Sequence, residues 1–217
     1  MVTVTRRTAL ALAALAPAAG ALLARGTTAG PAGAGQPKLR PGGFGAGYFP
    51  NVVLRTHEGA AVRFYDDLLK GKNVIINMMY TVCPDGFCPL ITANLVALQR
   101  ALGERVGRDL FMYSITLKPE EDTPPVLARY ALDHRVRPGW WFLTGPRADT
   151  ELLRRKLGFV DPDPVVDADS SQHTGMIRYG NEPLERWGAM PGGTNPKFMA
   201  KLIESALFGV GGSTAAG

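Results

Sequence analysis

Two patterns of apolar residues alternate along the middle of this chain, one typical of strands and one typical of helices. Residues 73–80 (NVIINMMY) form an almost continuous apolar run, as expected for a strand that is buried on both faces. Residues 90–102 place apolar side chains at helical spacing and reach Gly103, where a helix is expected to end. Together the patterns predict strands at residues 51–55, 61–64, 73–80, 110–117, 140–143, 173–179 and 185–189. They predict helices at residues 90–102, 124–134, 149–157 and 196–207, with a short helical turn at 66–69.

This order of elements predicts an α/β fold with helices on both faces of a central sheet. The alternation favours a largely parallel sheet. Turn residues at 57–60 predict an N-terminal hairpin, and Gly180-Asn181 predicts a late one. With these antiparallel additions, we expect a central mixed sheet that is flanked by helices.

The two ends of the chain differ in composition from this patterned region. Residues 1–25 contain Arg6-Arg7 before an Ala/Leu-rich run, which predicts an export signal of twin-arginine type. The run is short and weakly apolar for a membrane span, which favours a signal peptide over the alternative of a retained membrane anchor. The predicted divisions are an export signal at residues 1–25, a flexible linker at 26–48, a folded domain at 49–208 and a flexible tail at 209–217.

Charge and composition narrow the range of functions. The chain has 217 residues and is 46% hydrophobic, enough for a core that does not need a disulfide to stabilise it. Its formal net charge is +5, and loss of Arg6, Arg7 and Arg25 with the signal would leave about +2. Because no basic cluster interleaved with aromatic residues remains, nucleic acid is not an expected partner.

Both cysteines, Cys83 and Cys88, lie in the stretch TVCPDGFCPL, between the predicted strand at 73–80 and the predicted helix at 90–102. They could form a structural disulfide, act as a redox couple or ligate a metal ion. A helix N-terminus stabilises a thiolate through its backbone N–H groups and its partial positive charge. This position favours a reactive pair over a structural disulfide.

The string GKNVIINMMYTVCPDGFCPLITANL resembles the Sco/SenC family, thioredoxin-fold copper proteins that take part in assembling the copper centre of cytochrome c oxidase. The matching motif is Thr81 followed by Cys83-Pro84-Asp85 and then Cys88-Pro89. The string GWWFLTG at residues 139–145 and the late pair His173-Thr174 are also similar to the family pattern. The resemblance extends over residues 48–208 and implies a thioredoxin-like fold.

The resemblance also implies a function and a set of metal ligands. It makes Cys83, Cys88 and His173 the ligands of one copper ion, as Cu(I) or Cu(II). Two thiolates and an imidazole suit copper better than Mg²⁺ or Ca²⁺. The implied function is that of a metallochaperone, exported to the periplasm or the outer face of the cytoplasmic membrane. Its implied partner is the copper-bearing subunit of cytochrome c oxidase, with other copper chaperones or thioredoxin-like reductants as further partners.

The cysteine spacing departs from the family pattern. The family has three residues between the cysteines and this chain has four, residues 84–87. On a regular helix, residues i and i+4 lie about 40° apart around the axis, whereas i and i+5 lie about 140° apart. For the sulfurs to meet, the cysteines must therefore lie partly in a loop, for which Gly86 has the necessary conformational freedom.

Two enzymatic alternatives follow from the same pair of thiols. In the first, Cys83 and Cys88 are the redox pair of an extracytoplasmic thiol–disulfide oxidoreductase that acts on the cysteines of the oxidase copper site. This function requires only that the two sulfurs meet. The second alternative, a thiol peroxidase, is disfavoured because no arginine is close to Cys83 in the sequence.

Other residues with possible metal chemistry are assigned structural roles. His57 and His134 are expected to be solvated, and Met78, Met79 and Met112 are expected to fill the core. The charged run at residues 118–122 (KPEED) is expected to be a solvated loop.

Overall fold

The computed structural model describes residues 47–83, 86–168 and 175–209. Contacts divide the chain into units at residues 1–39 and 40–217, and all described residues belong to the second unit. The predicted export signal, nearly all of the predicted linker, residues 84–85, His173 and the tail from residue 210 lie outside the described residues. In the part that is described, no helix is both long and apolar enough to cross a bilayer.

Seven strands form one sheet within the described residues. They are β1 (Val53–Thr56), β2 (Ala61–Arg63), β3 (Asn73–Met79), β4 (Phe111–Thr116), β5 (Trp140–Thr144), β6 (Met176–Asn181) and β7 (Arg186–Pro191). Their order across the sheet is β2-β1-β5-β4-β3-β6-β7. The prediction of a mixed sheet is confirmed, but the largely parallel arrangement is wrong. Only β3–β4 and β4–β5 are parallel, because the hairpins at the two ends of the domain pair antiparallel with β5 and β3.

The helices in the same part of the chain are α1 (Phe87–Leu102), α2 (Pro124–Asp133), α3 (Arg147–Lys156), α4 (Pro164–Ala168) and α5 (Pro196–Phe208). A single π-helical turn occupies Phe64–Leu69, and a 3₁₀ turn at Gly103–Arg105 follows α1. The short helix α4 was not predicted from the sequence. The late hairpin also differs from its prediction, since its terminal pair is Asn181 with Arg186 and its turn lies at residues 182–185.

Side chains of β6 show that helices cover both faces of the sheet. Successive residues of a strand point to opposite faces. Asn181 Nδ2 donates to Leu207 O of α5 at 3.3 Å, whereas Arg178 Nη2 donates to Gly158 O, just after α3, at 3.1 Å. The helices α5 and α3 therefore lie on opposite faces, as the sequence predicts.

A buried hydrogen-bond chain joins the three central strands. Ser114 Oγ of β4 donates to Asn77 Oδ1 of β3 at 2.6 Å, and Trp140 Nε1 of β5 donates to the same Ser114 Oγ at 2.9 Å. All three residues are buried, so each bond is worth more than an exposed one and a register shift would leave polar atoms unpaired. These hydrogen bonds thereby fix the positions of the carboxyl ends of β3 and β4, where the candidate site lies. The methionines of this region, Met78, Met79 and Met112, are buried in the core as predicted.

Candidate metal and redox site

The two cysteines flank the junction between β3 and α1. Cys83 precedes a turn in which Gly86 N–H donates to Cys83 O at 3.1 Å. Gly86 has a φ of 72°, a left-handed conformation that glycine adopts without a steric penalty, and α1 begins at the next residue. Cys88 lies in the first turn of α1, where its backbone N–H donates to Cys83 Sγ at 3.3 Å. The expectation that the longer spacer places a cysteine outside the helix is confirmed, because Cys83 lies in the loop.

The two thiols differ in accessibility. Both cysteines are thiols in the structure, with Cys88 buried and Cys83 partly exposed. A partner that reached the site would therefore meet Cys83 first. The first turn of α1 donates to Cys83 Sγ because a helix N-terminus has backbone N–H groups without intrahelical partners.

Asp122 is a buried carboxyl group next to this turn, and sequence analysis missed it. Its Oδ1 accepts from Thr81 Oγ1 and its Oδ2 accepts from Thr116 Oγ1, each at 2.5 Å. The Thr81 N–H also donates to Oδ2, at 3.2 Å. The prediction of a solvated loop is therefore wrong at Asp122, which is only 1% exposed. A usable signal was its position: it follows a parallel strand adjacent to β3, at the carboxyl edge of the sheet.

Tyr130 of α2 is a second neighbour of the thiols that the sequence did not indicate. Its hydroxyl lies 3.0 Å from Thr92 Oγ1 of α1. Burial raises the pKa of Tyr130 to about 12; the hydrogen bond with Thr92 opposes this, and charges on Cys88 and Cys83 act in the same direction as burial. The phenol therefore stays protonated near neutral pH and is a neutral neighbour of the cysteine pair.

The segment that contains His173 is attached at both of its described flanks. On the carboxyl side, Gly175 O accepts from Gly192 N–H at 2.8 Å, and a Cβ at Gly175 would lie 2.2 Å from Cε1 of Phe87, the first residue of α1. On the amino side, Asp167 of α4 forms a bidentate ion pair with Arg154 of α3, at 2.6 and 2.9 Å. The chain two residues after His173 thus packs against the helix that carries Cys88.

The other two histidines, expected to be solvated, are half-buried and have structural partners. His57 Nδ1 accepts from Phe142 N–H at 3.1 Å, and burial lowers the pKa of His57 while the charge of Glu58 opposes this. The His134 ring lies 4.2 Å from the Tyr130 ring, and burial lowers the pKa of His134 as well. Among the residues that the structure describes, no three His, Cys, Asp or Glu side chains are grouped as a metal site.

A sheet of this topology, with two thiols at the junction between its central strand and the following helix, defines an α/β protein of thioredoxin-like fold. The model of the SCO1/SenC family matches residues 51–207, and the chain belongs to this family. Comparison with curated protein sequences gives no significant match.

Solved structures with the same fold include a copper-bound protein. ScoI from Bradyrhizobium japonicum, solved with copper bound, is 25% identical, with a TM-score of 0.57 over 71% of this chain and 96% of that chain. A SCO1/SenC family lipoprotein from Bacillus anthracis is 21% identical, with a TM-score of 0.58 over 73% of this chain and 94% of that chain. BsSco, described as a cytochrome c oxidase assembly protein with a disulfide switch, is 21% identical, with a TM-score of 0.54 over 71% of this chain and 90% of that chain. Copper is thus a ligand of a solved member of the family.

Proposed function

We propose that this chain binds one copper ion through Cys83, Cys88 and His173 and passes it to the copper-bearing subunit of cytochrome c oxidase. The observation that carries the proposal is the 3.3 Å contact from Cys88 N–H to Cys83 Sγ. This contact places the Cys83 sulfur against the first turn of α1, at the backbone of the residue that carries the second thiol, in spite of the longer spacer. Two thiolates at one helix N-terminus form a soft ligand pair that suits Cu(I).

The flank of the His173 segment supports His173 as the third ligand. Two residues of chain span at most about 7 Å, and Gly175 packs against Phe87, the neighbour of Cys88. A short stretch of chain therefore joins residue 173 to a glycine that packs against α1, the helix that carries Cys88. His57 is a poorer candidate because its Nδ1 already accepts a bond from the backbone of β5.

Delivery of copper would proceed by ligand exchange. A thiolate of the partner approaches on the side of Cys83, the more exposed cysteine, and replaces the ligands of this chain one after another. Copper keeps its oxidation state, and each released thiolate of this chain takes up a proton from solvent. The buried Cys88 retains the ion while Cys83 exchanges.

The composition of the two terminal segments supports a protein that functions outside the cytoplasm. We place an export signal at residues 1–25 and a flexible linker at 26–48, with the folded domain at 49–208 and a tail at 209–217. The domain would lie in the periplasm or at the outer face of the cytoplasmic membrane. The lipoprotein relative supports an exported, membrane-attached location.

Copper retention by reduced protein tests this function. The wild type, loaded with Cu(I) under anaerobic conditions and desalted, is expected to keep one copper ion per chain by elemental analysis. Cys83→Ser and His173→Ala should each lose most of the copper, whereas the control His134→Ala should keep it. A wild type that retains no more copper than Cys83→Ser would contradict the proposal.

The same contact between Cys88 N–H and Cys83 Sγ favours a second candidate, a thiol–disulfide oxidoreductase for the oxidase copper site. In that reaction Cys83 and Cys88 give two electrons and two protons to a partner disulfide, which becomes two thiols as the Cys83–Cys88 disulfide forms. His173→Ala separates the two functions in the assay above and in a parallel assay of peptide-disulfide reduction. A copper chaperone loses copper retention in this variant, while an oxidoreductase keeps its reducing activity.

A further inference from the structure

Asp122, Thr81 and Thr116 form a hydrogen-bonded unit, here named the Asp122 clasp, at the carboxyl edge of the sheet. Thr116 ends β4 and is paired in register with Met79, which ends β3. Asp122 lies on the loop that leads from β4 to α2, and its carboxyl group accepts from both threonine hydroxyls and from Thr81 N–H. The clasp therefore ties the first residues after β3 to the neighbouring strand.

The clasp acts on the cysteine turn through a very short connection. Thr81 is held by its backbone and its side chain, and only Val82 separates it from Cys83. Val82 is 67% exposed and so has little packing of its own to position Cys83. On the other side of Cys83, its carbonyl is held by Gly86 N–H at 3.1 Å. The location of the Cys83 thiol thus depends on the fixed position of Thr81.

We propose that Asp122 is a positioning residue for the cysteine pair, and that the Asp122 clasp sets the equilibrium between the dithiol and the disulfide of Cys83 and Cys88. The proposal deepens the proposed function and rests on it only in taking this pair as the working site. Holding one thiol close to the other raises its effective concentration, which favours the closed disulfide. Releasing Thr81 lets Cys83 sample more positions, so the disulfide becomes less stable relative to the two thiols.

Redox equilibration of the metal-free, full-length protein with glutathione measures this effect. Two thiols of the protein give two electrons and two protons to glutathione disulfide, so that one protein disulfide and two glutathione molecules form. The ratio of protein forms is read by thiol alkylation and mass spectrometry. Thr81→Val removes one bond of the clasp with little change in shape, and Thr81→Ser keeps the hydroxyl. Asp122→Ala removes the acceptor altogether.

We expect the equilibrium constant for disulfide formation to fall on the order of tenfold in Thr81→Val and Asp122→Ala, since fixing one residue's backbone costs conformational entropy of that size. Thr81→Ser should stay within about twofold of the wild type, because its hydroxyl reaches the same carboxyl oxygen. The control is Thr56→Val in β1, a buried threonine whose Oγ1 accepts from Ala60 N–H at 3.2 Å. It should lower thermal stability without changing the equilibrium constant.

Two results would overturn the proposal: an unchanged constant in folded Thr81→Val, or an equal shift in Thr56→Val. If Asp122→Ala does not fold, the equilibrium constant of Thr81→Val alone tests the role of the clasp. Because the measurement uses no copper, its outcome is independent of the proposed metal function. If the wild type fails to retain copper, the proposed chaperone function is rejected but the role of the Asp122 clasp is not. If the equilibrium constant does not change in Thr81→Val, the role of the clasp is rejected but the chaperone function is not.

Discussion

At the scale of single residues, the four-residue spacer between the cysteines is accommodated by one backbone conformation. Gly86 takes a φ of 72° and is the N-cap residue of α1, which begins at Phe87. Cys88 then lies in the first helical turn with its N–H directed at Cys83 Sγ. The sequence could predict the need for this freedom, since helix geometry forbids contact at i and i+5. It could not show that Thr81, two residues before Cys83, is held by a buried carboxyl group 41 residues away in the chain.

Replacement of Gly86 by alanine tests this account. An L-residue in the left-handed region costs roughly 1–2 kcal/mol, and a Cβ at Gly86 would meet nothing within 4 Å. Gly59 in the β1–β2 turn is a matched control, because it has a φ of 89° and also open space around it. We expect Gly86→Ala and Gly59→Ala to lose similar free energy of unfolding in urea titrations. Only Gly86→Ala should change the dithiol–disulfide equilibrium, and a similar change in Gly59→Ala would refute the special role of Gly86.

At the scale of elements, periodicity predicted those whose stability comes from apolar burial. The strands β3 and β4 and the helices α1 and α5 were predicted because each buries an apolar face that a single sequence displays. The helix α4 was missed because it has no buried residue, and Val165 within it is 80% exposed. The helix α4 is held instead by an ion pair with a charged residue of α3, and the apolar periodicity of a sequence gives no sign of such a contact.

Arg154 provides that attachment, so its replacement should loosen α4 selectively. Its guanidinium donates to both carboxyl oxygens of Asp167, to Glu151 and to Phe159 O. The hydrogen bonds with Asp167 and then Glu151 raise the pKa of Arg154, and burial opposes this. In Arg154→Met we expect amide hydrogen exchange at residues 160–168 to accelerate by at least about tenfold, as in local opening of a weakly packed segment. Exchange in β3 and β4 should be unchanged.

The control for this prediction is Arg155→Met. Arg155 pairs with the same Glu151 at 2.7 Å, but its side chain is 64% exposed. Exposed ion pairs contribute little to the free energy of unfolding, so in Arg155→Met the amide exchange rate at residues 160–168 should change less than about twofold. Equal acceleration in the two variants would show that general loss of charge on α3, and not the Arg154–Asp167 contact, loosens α4.

At the scale of the whole domain, the sequence predicted the α/β class and the covering of both sheet faces, but not the pairing of the hairpins. The pairing of β1 with β5 uses the backbone of His57, whose ring also accepts from Phe142 N–H. A histidine in a predicted turn looks solvated in the sequence, because its partner is 85 residues away along the chain. Such a contact joins β1 to β5 and also partly buries a side chain that titrates near neutral pH.

Burial lowers the pKa of both His57 and His134 below 6.5, the ordinary value for a histidine and the one expected in the unfolded chain. Just below pH 6.5 the unfolded state therefore binds more protons than the folded state. The stability contributed by the two neutral histidines is fully present above pH 6.5, and it is lost as the pH falls through their lowered pKa values in the folded protein. His57→Asn keeps an acceptor for Phe142 N–H in a side chain that does not titrate. We expect this variant to match the wild type in urea unfolding at pH 8 and to lose less stability between pH 7 and pH 5.5. His173 is present in both proteins, so the difference isolates His57. Parallel pH profiles of the two proteins would show that His57 does not contribute to the acid sensitivity of the fold.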